Sequence, residues 1–154
     1  MNYRSQYSKA GEGARLRAPD ATLTVKVDAA HTDGSYEMFE IDAPRNDPTP
    51  LHRTGWAKTY YVLSGRILVH LEDEQFDLGP GESVAIPPGA LHTFTVATDR
   101  ASFLVFSLTG AMGRFHADLD ASVPHDKSLQ EAMPQIFQVL ARHDVTMDGM
   151  EVVQ

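Results

Sequence analysis

The feature that most constrains the fold is a rhythm of short strand-like segments in the middle of the chain. Five apolar or β-branched segments recur there, separated by turn signals such as Gly79-Pro80-Gly81 and Pro87-Pro88-Gly89. The segments span residues 59–63, 66–71, 82–86, 92–97 and 102–108. Short strands at this regular spacing are typical of an all-β sandwich or barrel.

Two further strands are predicted before this region. Leu23, Val25 and Val27 alternate with polar residues, which is the period-two pattern of a half-buried strand. Residues 36–41 resume the strand pattern after a turn. Residues 1–20 show no periodicity, so we expect an arm that wraps a surface or pairs with another subunit.

A helix is predicted near the end of the sequence. Ser128 and Glu131 form a capping-box pattern, and an apolar helical face follows them. Pro134 is expected in the first turn, where its missing N–H costs little. We expect this helix to pack on the outside of the barrel.

The length of 154 residues fits a single domain. We expect a barrel core at about residues 21–110, the N-terminal arm at 1–20 and a helical tail at about 126–144. The sequence shows no internal repeat, which indicates one barrel and not a tandem pair.

Charge and composition exclude several classes of partner. The formal net charge of -8 argues against binding to nucleic acid or to an anionic membrane surface. No apolar run approaches the roughly 18 residues that span a bilayer, and the first ten residues are polar. We therefore expect a soluble, cytoplasmic protein. Because cysteine is absent, a metal site must use histidine, carboxylate or water.

Two stretches carry a recognisable pattern. "GESVAIPPGALH" places Gly81, Pro87, Gly89 and His92 at the spacing of the second sequence motif of the cupin family, which it resembles. "LHRTGWAKTYYVLSG" resembles that family's first motif, with His52 at its first position. The resemblance implies a single cupin double-stranded β-helix, or jelly-roll barrel. The order of segments is similar to single-domain quercetin 2,3-dioxygenase-like cupins, which implies a pocket for aromatic or polyketide-like compounds.

The first motif departs from the family pattern at two metal-ligand positions. Metal-binding cupins use three histidines and one carboxylate, but Thr54 stands at the second histidine and Lys58 at the glutamate. A lysine ammonium cannot ligate a metal and repels a divalent ion. The resemblance therefore implies either no cofactor or a weakly held Fe, Ni, Mn or Zn ion at His52 and His92. Four carboxylates elsewhere in the sequence could supply the missing metal ligand: Glu37, Glu40, Asp77 and Glu82.

Strand alternation predicts which side chains share the barrel interior. Residues 52, 54, 56, 58 and 60 would face one side of a strand, and residue 92 would join them from its neighbour. We predict catalytic roles for His52, Lys58, His92 and Tyr60, and ligand binding by Thr54, Trp56 and Phe94.

The sequence leaves three functions open. The first is a non-oxidative enzyme that isomerises, cyclises or enolises a carbonyl compound, in which a histidine with a pKa near 6.5 takes the proton and Lys58 stabilises the enolate. A buried Lys58 beside two imidazoles would also have a lowered pKa, which makes it an alternative base or a Schiff-base nucleophile. The second is a metal-dependent dioxygenase of the quercetinase type, and the third is a non-catalytic binding protein or sensor. The family resemblance also implies a homodimer.

Overall fold

The computed structural model describes residues 2–46 and 50–147. Within these residues the chain forms eleven strands and two helices. The strands are β1 (Ala14–Arg17), β2 (Thr22–Val27), β3 (Tyr36–Pro44), β4 (His52–Thr54), β5 (Lys58–Ser64), β6 (Ile67–Leu71), β7 (Glu74–Leu78), β8 (Ser83–Ile86), β9 (His92–Val96), β10 (Arg100–Leu108) and β11 (Val145–Met147). The helices are α1 (Ala111–Ser122) and α2 (Leu129–Arg142).

The strands form two antiparallel sheets. One sheet has the order β1-β2-β3-β10-β5-β8, and the other has the order β11-β4-β9-β6-β7. From β3 to β10 the chain alternates between the two sheets at every step except the β6–β7 hairpin. This alternation is the jelly-roll, or double-stranded β-helix, and it confirms the fold class predicted from the sequence.

The core lies between the sheets because every long strand buries alternate residues. On β3, Phe39 and Ile41 are at most 4% exposed, and Phe103 and Val105 on β10 are 1% exposed. Ile67 on β6 is fully buried from the opposite sheet. The period-two pattern in the sequence therefore produces one apolar interior.

The chain changes sheet inside the first sequence motif. Residues 52–60 are not one strand, because β4 ends at Thr54 and β5 begins at Lys58 in the other sheet. Gly55 is needed at this crossing, since a Cβ there would overlap the Asp144 carboxylate. The even-numbered side chains of both strands nevertheless face the interior.

The two helices cover one mouth of the barrel and contribute apolar side chains to its interior. The helix predicted from the capping box is α2, and Ser128 Oγ accepts a hydrogen bond of 3.2 Å from the Glu131 N–H. Pro134 lies in the second turn of α2, one turn later than predicted. The expectation that this helix packs outside the barrel is wrong in part, because Ile136 and Leu140 line the internal cavity.

Helix α1 was not predicted, and a buried carboxylate from the barrel supports its first turn. The N-cap position is Gly110, which has no side chain to cap the helix. Glu37 of β3 fills that role, because its Oε1 accepts a hydrogen bond of 3.0 Å from the Gly113 N–H. A carboxylate at a helix N-terminus satisfies a free donor and complements the helix dipole.

A charged cluster joins α1 to α2. The Asp118 carboxylate accepts hydrogen bonds from Arg142 Nε at 2.9 Å and Arg142 Nη2 at 3.0 Å. Ser122 Oγ donates to the same carboxylate, and His143 Nε2 lies 3.0 Å from it. Arg142 is the main reason that the pKa of Asp118 lies well below its usual range.

The N-terminal segment is part of the barrel. β1 pairs in antiparallel register with β2 of the same chain, from Ala14 opposite Val25 to Arg17 opposite Thr22. The short strands β7 and β11 were also not predicted. No helix in the described ranges is long and apolar enough to span a membrane.

We expect Gly113→Ala to destabilise the fold by about 1–3 kcal/mol, because the new Cβ would overlap the Glu37 carboxylate. The same substitution in an unobstructed helix stabilises by about 0.5–1 kcal/mol. Urea unfolding of the variant and the wild type shows whether the substitution lowers or raises the free energy of unfolding. In a Glu37→Ala background the cost of Gly113→Ala should disappear, and a rise in stability in the wild-type background would contradict the packing of α1 on Glu37.

Candidate functional site

The site is a cavity of about 140 Å³ between the two sheets, beneath the helices. Its wall is contributed by strands of both sheets, by both helices and by the β1–β2 turn. Most of the lining is aromatic or aliphatic, as in most small-molecule sites. The barrel interior is therefore hollow at this end and filled by core side chains elsewhere.

The residues predicted from alternation meet at this cavity. The even-numbered positions of the first motif all line its wall, and Phe94 of β9 joins them. These wall residues are His52, Thr54, Trp56, Lys58 and Tyr60. His92 lies behind His52 and does not line the cavity itself; its position opposite His52 in the β4–β9 register brings the two rings together.

The two motif histidines lie against each other, with His92 in the core and His52 partly exposed. Their ring centroids lie 4.4 Å apart, and His92 is fully buried. His52 Nδ1 lies 3.1 Å from the Pro50 carbonyl oxygen, and His92 Nδ1 lies 2.9 Å from that of Ala90. Because a carbonyl only accepts, each Nδ1 carries the proton and each neutral ring presents a lone pair at Nε2.

The environment keeps both imidazoles neutral. Burial, followed by the nearby Lys58 charge, lowers the pKa of His52 to about 4. The same two causes and His52 itself lower the pKa of His92 to about 3. At neutral pH the pair therefore accepts hydrogen bonds and does not serve as a ready proton acceptor.

Lys58 is a lysine inside an apolar wall. Lys58 is the first residue of β5 and is 7% exposed, and its Nζ lies 5.5 Å from the centroid of the Tyr60 ring. No described carboxylate forms an ion pair with it. Burial lowers the pKa of Lys58 to about 7, and the more distant Asp20 charge only partly opposes this effect. A substantial fraction of Lys58 is therefore a neutral amine at physiological pH.

Two polar residues of the cavity were missed by the sequence analysis. Asp20 enters from the β1–β2 turn and His116 from α1. Burial raises the pKa of Asp20, with Lys58 acting in the opposite direction, and burial lowers the pKa of His116 to about 3. Neither segment resembles a motif, and no strand alternation connects them to His52. Only the fold brings them to the cavity.

Aromatic rings form one side of the cavity. Tyr60, Phe94 and Phe103 pack against each other at centroid separations of 5.3 to 6.2 Å. Burial raises the pKa of Tyr60, so its phenol stays protonated. On the other side the Trp56 ring lies 6.1 Å from Phe115, and its buried Nε1–H has no hydrogen-bond partner among the described residues.

The four carboxylates considered as replacement metal ligands do not line the cavity. Glu37 is buried but holds α1, Asp77 pairs with Arg66 at 3.1 Å, and Glu82 accepts from the Gly79 N–H at 2.7 Å. Glu40 lies on the outward-facing positions of β3.

The donor set does not fit a protein-held metal. Across residues 2–46 and 50–147, no cluster of three or more His, Cys, Asp or Glu side chains could hold an ion. Thr54 Oγ1 donates to the Trp56 carbonyl at 3.3 Å, and Lys58 brings an amine where a carboxylate ligand would be needed. Two imidazoles alone are too few ligands for the usual first-row sites.

The topology and the two motif strands define a cupin. Residues 38–107 match the family model described as a cupin domain. The matched segment, 70 of the 154 residues, contains both motif histidines, and the fold is that of the cupins.

Known proteins resemble the chain at low identity. Quercetin 2,3-dioxygenase of Bacillus subtilis (strain 168) is 24% identical over 87 residues, which cover 56% of this chain and 26% of that protein. The chain thus spans about a quarter of that relative's length. An RmlC-like cupin from Shewanella frigidimarina superposes with a TM-score of 0.60 at 15% identity, covering 75% of this chain and 99% of that one. KdgF from Halomonas sp. superposes with a TM-score of 0.59 at 15% identity, covering 69% of this chain and 94% of that one.

We expect Lys58→Met to remove a pH dependence of stability. In the folded chain Lys58 titrates near pH 7, whereas in the unfolded chain it titrates near 10.5. Between these values the unfolded state binds more protons, so the free energy of unfolding of the wild type rises with pH. Between pH 7 and 10.5 the free energy of unfolding of the wild type should rise by a few kcal/mol relative to that of Lys58→Met, since each unit of pKa difference corresponds to about 1.4 kcal/mol.

Urea unfolding across this pH window measures the difference. Lys127→Met is the matched control, because Lys127 is exposed and should give the wild-type slope. A wild-type curve that stays parallel to that of Lys58→Met would show that the Lys58 amine is not desolvated.

Proposed function

We propose that this cupin binds a small aromatic or polyketide-like carbonyl compound and catalyses a non-oxidative proton transfer, such as an isomerisation, cyclisation or enolisation. The observation that carries the proposal is the Lys58 amine, which is buried in an apolar cavity without an ion-pair partner among the described carboxylates. The distant relation to a dioxygenase supports small-molecule chemistry but not the oxidative reaction.

In the proposed reaction, Lys58 is the base. Its neutral amine takes the proton from the carbon next to the carbonyl, because a base with a pKa near the working pH is present in the right form and strong enough to act. Negative charge then develops on the carbonyl oxygen. The free Trp56 Nε1–H is a suitable donor to that oxygen, and Asp20, whose pKa burial raises, lies on the same cavity wall to return a proton.

The sequence leaves two assignments open: a histidine is the base and Lys58 stabilises the enolate, or Lys58 itself is the base or a Schiff-base nucleophile. The lowered pKa values favour the second. With pKa values of about 4 and 3, His52 and His92 are weak bases at neutral pH. Their proposed role is to accept hydrogen bonds, with His52 at the cavity wall orienting a hydroxyl of the ligand and His92 supporting it from behind.

We expect the protein to exchange the α-protons of a small aryl ketone such as acetophenone for deuterium. Proton NMR in deuterated buffer measures the rate, which should rise with pH and level off above a midpoint near 7 as Lys58 loses its proton. Lys58→Met should lower the rate by about 100-fold or more, the usual contribution of a positioned base.

Lys127→Met is the control for general amine catalysis and should keep the wild-type rate. A rate that does not depend on Lys58 would contradict the assignment of the base. Binding of the ketone without exchange by any variant would favour the third function, that of a non-catalytic binding protein or sensor.

The metal-dependent dioxygenase remains a second candidate because of the histidine geometry. Each Nδ1 donates to a backbone carbonyl, which is how ligating histidines are held in metal sites with Nε2 directed at the ion. On this alternative, His52 and His92 would hold Fe, Ni, Mn or Zn only weakly, because the described residues complete no cluster of three ligands, and the ion would supply oxygen chemistry.

We expect the double variant Thr54→His and Lys58→Glu to gain metal affinity, because it restores imidazole and carboxylate donors on the cavity wall. Titration with zinc or nickel followed by calorimetry measures the gain, which should be at least 10-fold over wild type. Lys58→Met removes the repelling cation without adding a ligand and separates the two effects. Equal affinity of the wild type and the double variant would mean that these two side chains do not converge with His52.

A further inference from the structure

We propose that Lys58 acts covalently: its amine condenses with the carbonyl carbon of a compact, single-ring ketone or aldehyde to form an iminium adduct, and Asp20 carries the protons. This inference rests on the proposed function, since it concerns the same cavity and the same substrate carbonyl. It adds a bond between the protein and its ligand to the proposed proton transfer, with Lys58 as the nucleophile and Asp20 as the group that moves the carbon-bound proton.

The position of Lys58 distinguishes it from the other three lysines. Its residue is 7% exposed, whereas Lys9 and Lys127 are exposed and Lys26 Nζ donates to the carbonyls of Lys9 and Glu12. In its strand register Lys58 lies between Ser107 of β10 and Ile86 of β8, so the stem of the side chain is fixed. Desolvation of this kind converts a lysine into a nucleophile, because it disfavours the ammonium form.

Asp20 is suited to carry the protons. In the described part of the chain it is the one carboxyl group on the cavity wall. It is electrostatically coupled to Lys58 but does not form an ion pair with it. A carboxyl that stays near an amine without pairing leaves the amine lone pair free for the substrate.

The reaction balances without a further reactant. The neutral Lys58 Nζ attacks the carbonyl carbon, the C–N bond forms, and the oxygen takes the proton that the nitrogen releases. The carboxyl group of Asp20, whose pKa burial raises, then gives a proton to this hydroxyl, which leaves as water while the nitrogen lone pair forms the C=N bond. The Asp20 carboxylate removes a proton from the adjacent carbon to give an enamine. Reprotonation at carbon and addition of water reverse these steps and release the product.

The cavity limits the size of the ligand. Its volume of about 140 Å³ is close to that of the roughly 150 Å³ apolar cavity known to hold one benzene molecule. Tyr60, Phe94 and Phe103 offer ring edges and faces on one side. A single ring with a short carbonyl group fills this space, whereas the three rings of a flavonol exceed it.

Reductive trapping tests the covalent step. The full-length protein is incubated with acetophenone and cyanoborohydride, digested, and analysed by peptide mass mapping. We expect one added phenylethyl group on the peptide that contains Lys58, at a level at least 10-fold above those on Lys9, Lys26 and Lys127. The three other lysines are internal controls in the same molecule, so the result does not depend on a variant that folds.

Two variants sharpen the result. Lys58→Arg keeps a cation but cannot form an iminium, and it should give no adduct at position 58. Asp20→Asn should retain Lys58 but slow trapping by about 10-fold or more. Equal labelling of all four lysines, or none, overturns the covalent proposal.

Deuterium exchange on the same ketone separates this proposal from the proposed function. Lys58-dependent exchange without an adduct overturns the iminium and leaves proton transfer by Lys58 intact. An adduct at Lys58 without exchange supports the covalent step and overturns the proton transfer. The absence of both overturns both.

Discussion

The free-energy cost of burying a charged amine controls the chemistry of this barrel. Lys58 faces an apolar cavity, and no described carboxylate pairs with it. An ammonium in that position loses its hydration without gaining a counter-charge, so the neutral amine is favoured. When Lys58 is charged it also disfavours protonation of His52, His92 and His116. Burial therefore favours the neutral amine and imidazole forms at this site, whereas a metal centre would contain a carboxylate anion and a metal cation.

The rest of the structure holds this environment in place. The change of sheet at Gly55 directs both halves of the first motif into the interior, and the β4–β9 register places the His52 ring against that of His92. Helix α1 lines the cavity, and its first turn is held by Glu37, a carboxylate that the barrel itself provides. Asp20 arrives from the turn that β1 and β2 form. The one described carboxyl group on the cavity wall thus comes from that turn and not from the strand position of Lys58, and it does not complete a metal site.

Much of the barrel could be predicted from the sequence, because alternation and turn residues are local signals. The strands β2, β3, β5, β6 and β8 to β10 follow from them, as does the placement of His52 and Lys58 on the cavity wall. Shorter strands such as β1 and β11 give too few residues for a period to show. Helix α1 lacks a capping side chain and has a weak apolar face, so its stability comes from tertiary contacts with Glu37. Asp20 and His116 could not be predicted, since only the folded chain brings their segments to the site.

A direct titration of the four lysines tests the central claim that Lys58 is a desolvated amine. Lysine labelled with carbon-13 at Cε gives one NMR signal per residue, and Lys58→Arg identifies the signal of Lys58 by its loss. We expect a midpoint near pH 7 for Lys58. A midpoint near the ordinary lysine value of about 10.4 for Lys58 would mean that the amine is hydrated or paired, and it would contradict both the assigned base and the covalent step.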